Sequence, residues 1–565
     1  MIEAMNENQF DYVIVGAGAA GCILANRLSA DGQSTVCLLE AGPPDRNIYL
    51  HIPAGFIKAV SNPLYTWQFK TEPGEGSGGR RISVIQGRTL GGSTAINGLN
   101  YNRGQAADYD GWANVGNPGW GFADVLPYFK RSERRVGAND PSVRGIDGEL
   151  PITDCDWRSP LCDAFIGAAG KFGMPAGIDY NGHRQGGAGY FQRWIKDGWR
   201  VSTAKAFLAP VRGRGNLHVR TGAHVTKVVF EGKRAVGVLF VAAPDAPVTE
   251  VRARREVILC AGAANTPKLL QISGVGSARL TEGIGVPLVH RLDGVGENLR
   301  DHYIVRLVAR VRNAETINDL VHGPRLWREV AKWALKRPSI LAISPSVAFG
   351  FANTQDPNLD ADIQLNFTPG SYKESKAGML DSFPGVTLGL YQMRPQSLGY
   401  VRARSANPFE HPEIQPNYLS HDEDRRTVID GIRLARRILK TEPLAQYCER
   451  MEFPPDSSTS DDELLNFARN CGNTAYHLMG TCRMGSREDA TSVVDPELRV
   501  HGVLGLRVAD ASIMPTMPSA NIGAAVFMIA EKAADLILGR NTATALHVDS
   551  PARPPETEPR DARAA

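Results

Sequence analysis

Residues 10–42, FDYVIVGAGAAGCILANRLSADGQSTVCLLEAG, decide how the rest of this chain is read. Tyr12 to Val15 is apolar and β-branched, as a buried strand requires, and it runs directly into Gly16-Ala17-Gly18-Ala19-Ala20-Gly21. A helical pattern follows, with Ile23, Leu24, Ala25 and Leu28. In such a strand, glycine turn and helix, Gly16 permits the tight turn, Gly18 lets backbone N–H groups approach phosphate at the helix N-terminus, and Gly21 lets helix and strand pack closely. A second strand, Thr35 to Leu39, ends at Glu40, about 20 residues beyond the last glycine, where a carboxylate accepts hydrogen bonds from a ribose diol. The unit predicts a bound dinucleotide.

The chain has 565 residues, more than the ~250–300 at which a single core stops growing, which predicts two domains. Charged residues are 22%, hydrophobic ones 42% and the net charge +3, a balance that excludes a nucleic-acid binder or a disordered chain. The start, MIEAMNENQ, lacks the basic and apolar regions of a secretory signal, and no run of ~18 apolar residues occurs, so the expectation is a soluble cytoplasmic protein without membrane contact. The cysteines, Cys22, Cys37, Cys155, Cys162, Cys260, Cys448, Cys471 and Cys482, form no CxxC pair and no zinc spacing; no metal is expected. Oligomerisation stays open.

Three distant segments read as one nucleotide-binding domain: 10–42 with 86–104; the strand Glu256 to Gly262 with the helical Thr266-Pro267-Lys268-Leu269-Leu270; and Gly505 to Ala511 followed by a helix from Ala524 to Leu538 capped by Gly539. Alternating runs such as Ile363-Gln364-Leu365-Asn366-Phe367 and Val386-Thr387-Leu388-Gly389-Leu390 predict a second domain on an antiparallel sheet. The expected fold is α/β: a Rossmann-like dinucleotide domain (10–150, 216–299, 471–540) interleaved with an α+β substrate domain (151–215, 300–470). Residues 1–9 form an arm, and the proline-rich 541–565 a tail without fixed structure. Arg325 to Arg337 reads as a solvated basic helix rather than one touching a membrane or a subunit.

Several ordered motifs resemble the glucose-methanol-choline oxidoreductase family of FAD enzymes over roughly residues 10–540. Besides the N-terminal fingerprint they are Gly87-Arg88-Thr89-Leu90-Gly91-Gly92-Ser93-Thr94-Ala95-Ile96-Asn97-Gly98, Ala261-Gly262-Ala263 through Ser273-Gly274-Val275-Gly276, Gly294-Val295-Gly296-Glu297-Asn298-Leu299, Tyr476-His477-Leu478-Met479-Gly480-Thr481-Cys482-Arg483, and Ile529-Ala530-Glu531-Lys532. The resemblance implies FAD held by Gly16, Gly18, Ala19, Ala20, Gly21, Glu40, Ala41, Arg88, Gly91, Gly92, Ser93, Asn97, Gly98, Leu99, Val225, Ala261, Asp510, Ala511 and Asn521. Where relatives with a covalent flavin carry a histidine, this chain has Ile96, so the FAD is expected to be non-covalent.

Oxidising an alcohol requires a base for the hydroxyl proton, and histidine is suited to that near neutral pH. His477 resembles the family's base; His302 is expected to be structural. The family's second catalytic residue falls on Gly523, with Asn521 before it, which leaves extra room for a bulky substrate or keeps open a lyase or decarboxylase without net oxidation. The expected substrate wall is Tyr476, Leu478, Met479, Asn100, Phe367 and Trp67, an apolar and aromatic set that favours an aromatic or medium aliphatic primary alcohol over choline. The expected electron acceptor is oxygen or a quinone-like carrier.

Overall fold

A computed structural model describes residues 8–373 and 379–540; residues 1–7 of the arm expected at 1–9 and the tail expected at 541–565 lie outside the described residues, and Gln9 already belongs to the first strand. The first seven-stranded sheet is ordered Leu217–Thr221, Val36–Glu40, Gln9–Val15, Thr249–Leu259, Arg234–Val241, His224–Glu231. The first four strands run parallel, and Leu506–Val508 adds in parallel to the C-terminal part of Thr249–Leu259. Val36–Glu40 is buried throughout, as a parallel strand covered on both faces must be.

Helix Ala19–Leu28 leaves the glycine turn and packs on the final helix, Gly523–Leu538. Arg27 ties them together, donating to Glu531 at 2.7 Å and to Glu149 at 2.5 Å. The final helix stops where Gly539 takes the left-handed conformation at φ +64°, the C-terminal signal read in the sequence.

The second seven-stranded sheet is antiparallel, ordered Cys448–Phe453, Tyr303–Val311, Gly385–Gln392, Ile363–Thr368, Ala348–Ala352, Gly187–Tyr190. Its alternation divides two environments. Ile363, Leu365, Phe367, Leu388 and Leu390 enter a core shared with helices Asp422–Leu439 and Pro160–Gly170, whereas Asn366, Thr368, Thr387 and Tyr391 face a cavity toward the first sheet.

Two boundaries differ from expectation. Trp194, Ile195, Val201, Ala204 and Phe207 pack in the core of the first sheet, so the dinucleotide domain claims the chain from about residue 194 rather than 216. The Asn26 amide donates to the Phe207 carbonyl at 2.7 Å, which fastens this stretch to the first helix. Asn473–Thr474 pairs with Tyr303–Ile304, so the chain leaves the second sheet only after the boundary expected at 471. The basic helix forms as Gly323–Ala334, with Trp333 against Trp199 at 4.5 Å and Trp327 73% exposed. Among the described residues no helix is long and apolar enough to cross a membrane.

The glycine turn yields a test that separates folding from binding. A Cβ on Gly21 would lie 1.9 Å from the Gly16 carbonyl oxygen, whereas one on Gly18 meets nothing nearer than the Cys260 carbonyl oxygen at 3.9 Å. Gly21→Val is expected to prevent soluble folding. Gly18→Val is expected to melt near the wild-type temperature yet purify without its dinucleotide, as absorbance of the purified protein will show; full occupancy in that variant would contradict the phosphate assignment.

Candidate active site

One cavity of about 720 Å³ is lined by both sheets, within the size range of cofactor and ligand sites. Gly16, Gly18, Ala19, Ala20, Glu40, Ala41, Val225 and Ala261 line one end. Helix Ala19–Leu28 starts there with no side chain capping it, which leaves its first N–H groups and its positive pole for an anion. Glu40 accepts from the Ala17 and Gly42 N–H groups, each at 2.9 Å, and burial pushes its carboxyl up to about 7. Asp510 accepts from the Gly262 N–H at 2.8 Å and the Thr266 hydroxyl at 2.6 Å, with burial again raising its pKa.

Gly92, Ser93, Asn97, Gly98, Leu99 and Ala511 continue the lining. A Cβ on Gly92 would sit 2.7 Å from Gly18 Cα, so the two glycine loops touch where a dinucleotide must pass. Uncapped N–H donors, touching glycine loops and a buried Glu40 together fit a dinucleotide. Three residues expected in the lining stand behind it. Gly21 closes helix on turn, Gly91 donates its N–H to the Ala17 carbonyl at 2.8 Å, and Arg88 lies over the Trp67 ring at 4.9 Å. Trp67 also meets His224, next to Val225, and so stands with the dinucleotide end rather than as substrate wall.

At the other end are His477, Asn521, Tyr476, Leu478 and Asn100. The backbone before His477 is held in the left-handed region at Tyr476, φ +66°, uncommon for an aromatic residue. Asp301 anchors the turn: it accepts the His477 N–H at 2.8 Å and the hydroxyls of Thr474 and Tyr418, both at 2.5 Å. Burial pushes Asp301 up to about 6.

The His477 ring is fixed by His302, which thus does more than the structural part expected for it. Nδ1 of each ring lies 2.9 Å from the other, and His302 Nε2 lies 2.7 Å from the Met393 carbonyl oxygen. A carbonyl only accepts, so His302 Nε2 carries a proton and donates it. In neutral His302 the Nδ1 is therefore an acceptor, and His477 Nδ1–H donates to it. The lone pair of His477 is left on Nε2, 3.4 Å from the Asn521 amide nitrogen. The amide of Asn521 is oriented in turn by Gln364, whose Nε2 donates to Asn521 Oδ1 at 3.2 Å, while Asn102 donates to Gln364 Oε1 at 3.2 Å. Burial, and then the neighbouring His302, hold the His477 pKa well below the ordinary histidine value.

Gly523 lines the cavity but leaves no extra room, contrary to expectation. A Cβ there would come within 3.1 Å of Trp194 Cη2, because the buried indole covers this glycine and packs on Phe527 at 5.4 Å. Phe367 is likewise not substrate wall: it faces the opposite side of its strand and stacks on Phe165 at 4.6 Å. Met479 is buried in the core of the first sheet. Trp194, Asp301, Gln364 and Arg306 were not read from sequence as site residues. Only the two-residue alternation around Gln364 offered a signal for any of them.

Family models described as GMC oxidoreductase match residues 10–304 and 395–530. The chain is 39% identical over 530 residues to the alcohol dehydrogenase [acceptor] of Pseudomonas putida, covering 94% of this chain and 96% of that protein. It is 39% identical over 562 residues to the oxygen-dependent choline dehydrogenase of Cronobacter sakazakii (strain ATCC BAA-894), covering 98% and 99%. Among solved structures, pyridoxine 4-oxidase from Mesorbium loti superposes with a TM-score of 0.85 at 30% identity, over 94% of this chain and 100% of that one. A formate oxidase superposes at 0.86 and 27%, over 96% and 99%. The chain belongs to the GMC oxidoreductase family of FAD-dependent enzymes acting on CH–OH donors.

Proposed function

We propose that this protein oxidises a primary alcohol, aromatic or medium aliphatic, to its carbonyl in the cytoplasm, with His477 as the base and FAD bound without a covalent link. The observation that carries this reading is the lone pair on His477 Nε2, held toward the cavity by His302 behind it and met there by Asn521. A substrate hydroxyl that takes the place of the Asn521 amide as the partner of Nε2 donates its proton to Nε2, and the displaced amide, a donor beside it, steadies the oxygen. His477 Nδ1–H keeps its bond to His302 throughout, so the ring does not turn as it takes up charge. Bound in the cavity, FAD supplies the acceptor for the hydride that leaves the carbinol carbon.

Helix Gly523–Leu538 opens beside Asn521 with no capping side chain and no acid in its first turn, and its positive end favours negative charge at that end of the cavity. Tyr391, Tyr476, Leu478 and Trp194 give the substrate end its aromatic and apolar surface. Among the described residues the lining acids are Glu40 and Asp510, at the dinucleotide end, and Asp301, behind His477, is taken up by the His477 N–H and two hydroxyls, so a choline-type cation meets no lining carboxylate beside His477. The electron acceptor would be oxygen or a quinone-like carrier.

Anaerobic addition of an alcohol panel is expected to bleach the flavin, and His477→Ala to slow that reduction by about 10²–10⁴-fold with the bound-flavin spectrum unchanged. Reduction within tenfold of wild type would remove His477 from the role of base.

The pH dependence tests the tautomer. A base with a depressed pKa stays unprotonated as pH falls through the ordinary histidine range, so the rate of flavin reduction is expected to hold level from pH 8 through 6.5 and to fall only below it. A midpoint at or above 6.5 would contradict this. His302→Leu removes the acceptor for Nδ1–H, a loss of about 1–3 kcal/mol, or roughly five- to over a hundred-fold in rate; His302→Asn, which retains an acceptor oxygen, is expected to recover part of it.

Ile96 lines the cavity and has no nucleophilic atom. Acid precipitation is expected to release all yellow colour into the supernatant; colour left in the washed pellet would show a covalent flavin.

A further inference from the structure

The register of the second sheet determines what the cavity meets beyond His477. Arg306 pairs with Gly389, and Gly389 pairs with Asn366, so the three form one row across the sheet. Tyr391 and Gln364 form the neighbouring row on the same face. The Tyr391 ring stacks on His302 at 4.4 Å and meets His477 edge-on at 6.1 Å. Side chains recur on one face every second residue, so the Arg306 row lies about 7 Å along the strands from the row at the catalytic histidine. Arg306, Gly389, Asn366 and Tyr391 all line the cavity. The Arg306 stem crosses the glycine: its Cγ would be 3.6 Å from a Cβ on Gly389.

Arg306 makes no ion pair and no hydrogen bond among the described residues. Among the described residues the ionisable groups near enough to act on it are Tyr476 and Tyr372, phenols whose pKa values burial raises further and which are therefore uncharged at neutral pH. Other cations in the lining are engaged: Arg80 donates to the carbonyls of Arg469 and Gly472, each at 2.7 Å, Lys268 to that of Pro408 at 2.5 Å, and Arg81 pairs with Glu72 at 2.9 Å. The two lining acids, Glu40 and Asp510, already hold backbone N–H groups at the far end. The Arg306 side chain is half-buried and open to the cavity, and a guanidinium's planar fork of donors matches a carboxylate with two parallel hydrogen bonds.

We propose that Arg306 is the recognition site for a carboxylate on the substrate, so that the alcohol oxidised at His477 is one end of a molecule whose other end is anionic. This rests on the alcohol-oxidising reading and narrows it. The row spacing suits a hydroxyl and a carboxylate several bonds apart, as on opposite ends of an aromatic ring, rather than an α-hydroxy acid. Asn366 flanks the anion site across Gly389. Choline, with a cation in place of the carboxylate, meets a like charge here.

The test uses the flavin-loaded enzyme and two alcohols alike except in charge, 4-(hydroxymethyl)benzoate and 4-(hydroxymethyl)benzamide. Wild type is expected to favour the acid in kcat/KM by tenfold or more. Arg306→Met should bring that ratio to one or below, and Arg306→Lys should keep much of it. Calorimetric titration with 4-methylbenzoate and 4-methylbenzamide, which carry no hydroxyl to oxidise, gives the same comparison without turnover. There too wild type should prefer the acid tenfold or more, and Arg306→Met should lose the preference. Absence of any preference for the acid in wild type, including no measurable binding of either compound, or a preference unchanged in Arg306→Met, overturns the proposal. If neither alcohol nor any of the wider panel bleaches the flavin, the alcohol-oxidising reading fails, while the titrations still decide Arg306. If both alcohols are oxidised equally and the titrations show no preference, Arg306 alone is misassigned.

Discussion

The hydrogen bond between the Nδ1 atoms of His302 and His477 has one consistent protonation pattern when both rings are neutral, because the Met393 carbonyl on the far side of His302 can only accept. That constraint passes from one ring to the next and ends at a lone pair on His477 Nε2. It needs no nearby charge. Burial disfavours the imidazolium of both rings, holding His302 at about 4 and His477 well below the ordinary value, so the bond joins two neutral groups. The base is ready because its environment keeps protons off it, and its direction is set by a carbonyl two groups away.

The two domains meet in this arrangement. His302 precedes the strand Tyr303–Val311 of the second sheet and stacks on Tyr391 of the strand Gly385–Gln392. His477 follows the short strand Asn473–Thr474 in that same sheet, just before the chain returns to the first domain. Asp301, adjacent to His302, holds the His477 backbone and thereby fixes the distance between the rings. Asn521, just before the final helix of the dinucleotide domain, is oriented by Gln364 from the substrate sheet. The reacting atoms would lie where the sheets face one another, and each sheet supplies what the other lacks: uncapped helix termini from one, side chains in strict alternation from the other.

The dinucleotide unit was legible in the sequence because its signals are local. Strand, glycines, helix and Glu40 fall within about thirty residues, and Gly16 and Gly21 answer close contacts within the same unit or its neighbouring strand. Gly539 was legible for the same reason. What escaped depends on packing between distant segments. Gly523 reads as a gap until Trp194, remote in sequence, is found covering it. Phe367 belongs to a readable alternation, but alternation alone does not say which face meets the core; Phe165, from a helix elsewhere in the chain, decides that. His302 looks structural in isolation because its partner is 175 residues away. The stretch from Trp194 to Val211 has no periodicity that assigns it to a domain, and tertiary packing places it in the first.

Neutron diffraction from crystals of the FAD-loaded enzyme, exchanged into D₂O near neutral pD, would locate the protons on which this account depends. Deuterium is expected on Nδ1 of His477 and on Nε2 of His302, with none on Nδ1 of His302 and none on Nε2 of His477. Deuterium on Nε2 of His477 would mean that the ring offers no lone pair to the cavity, and His477 could not be the base.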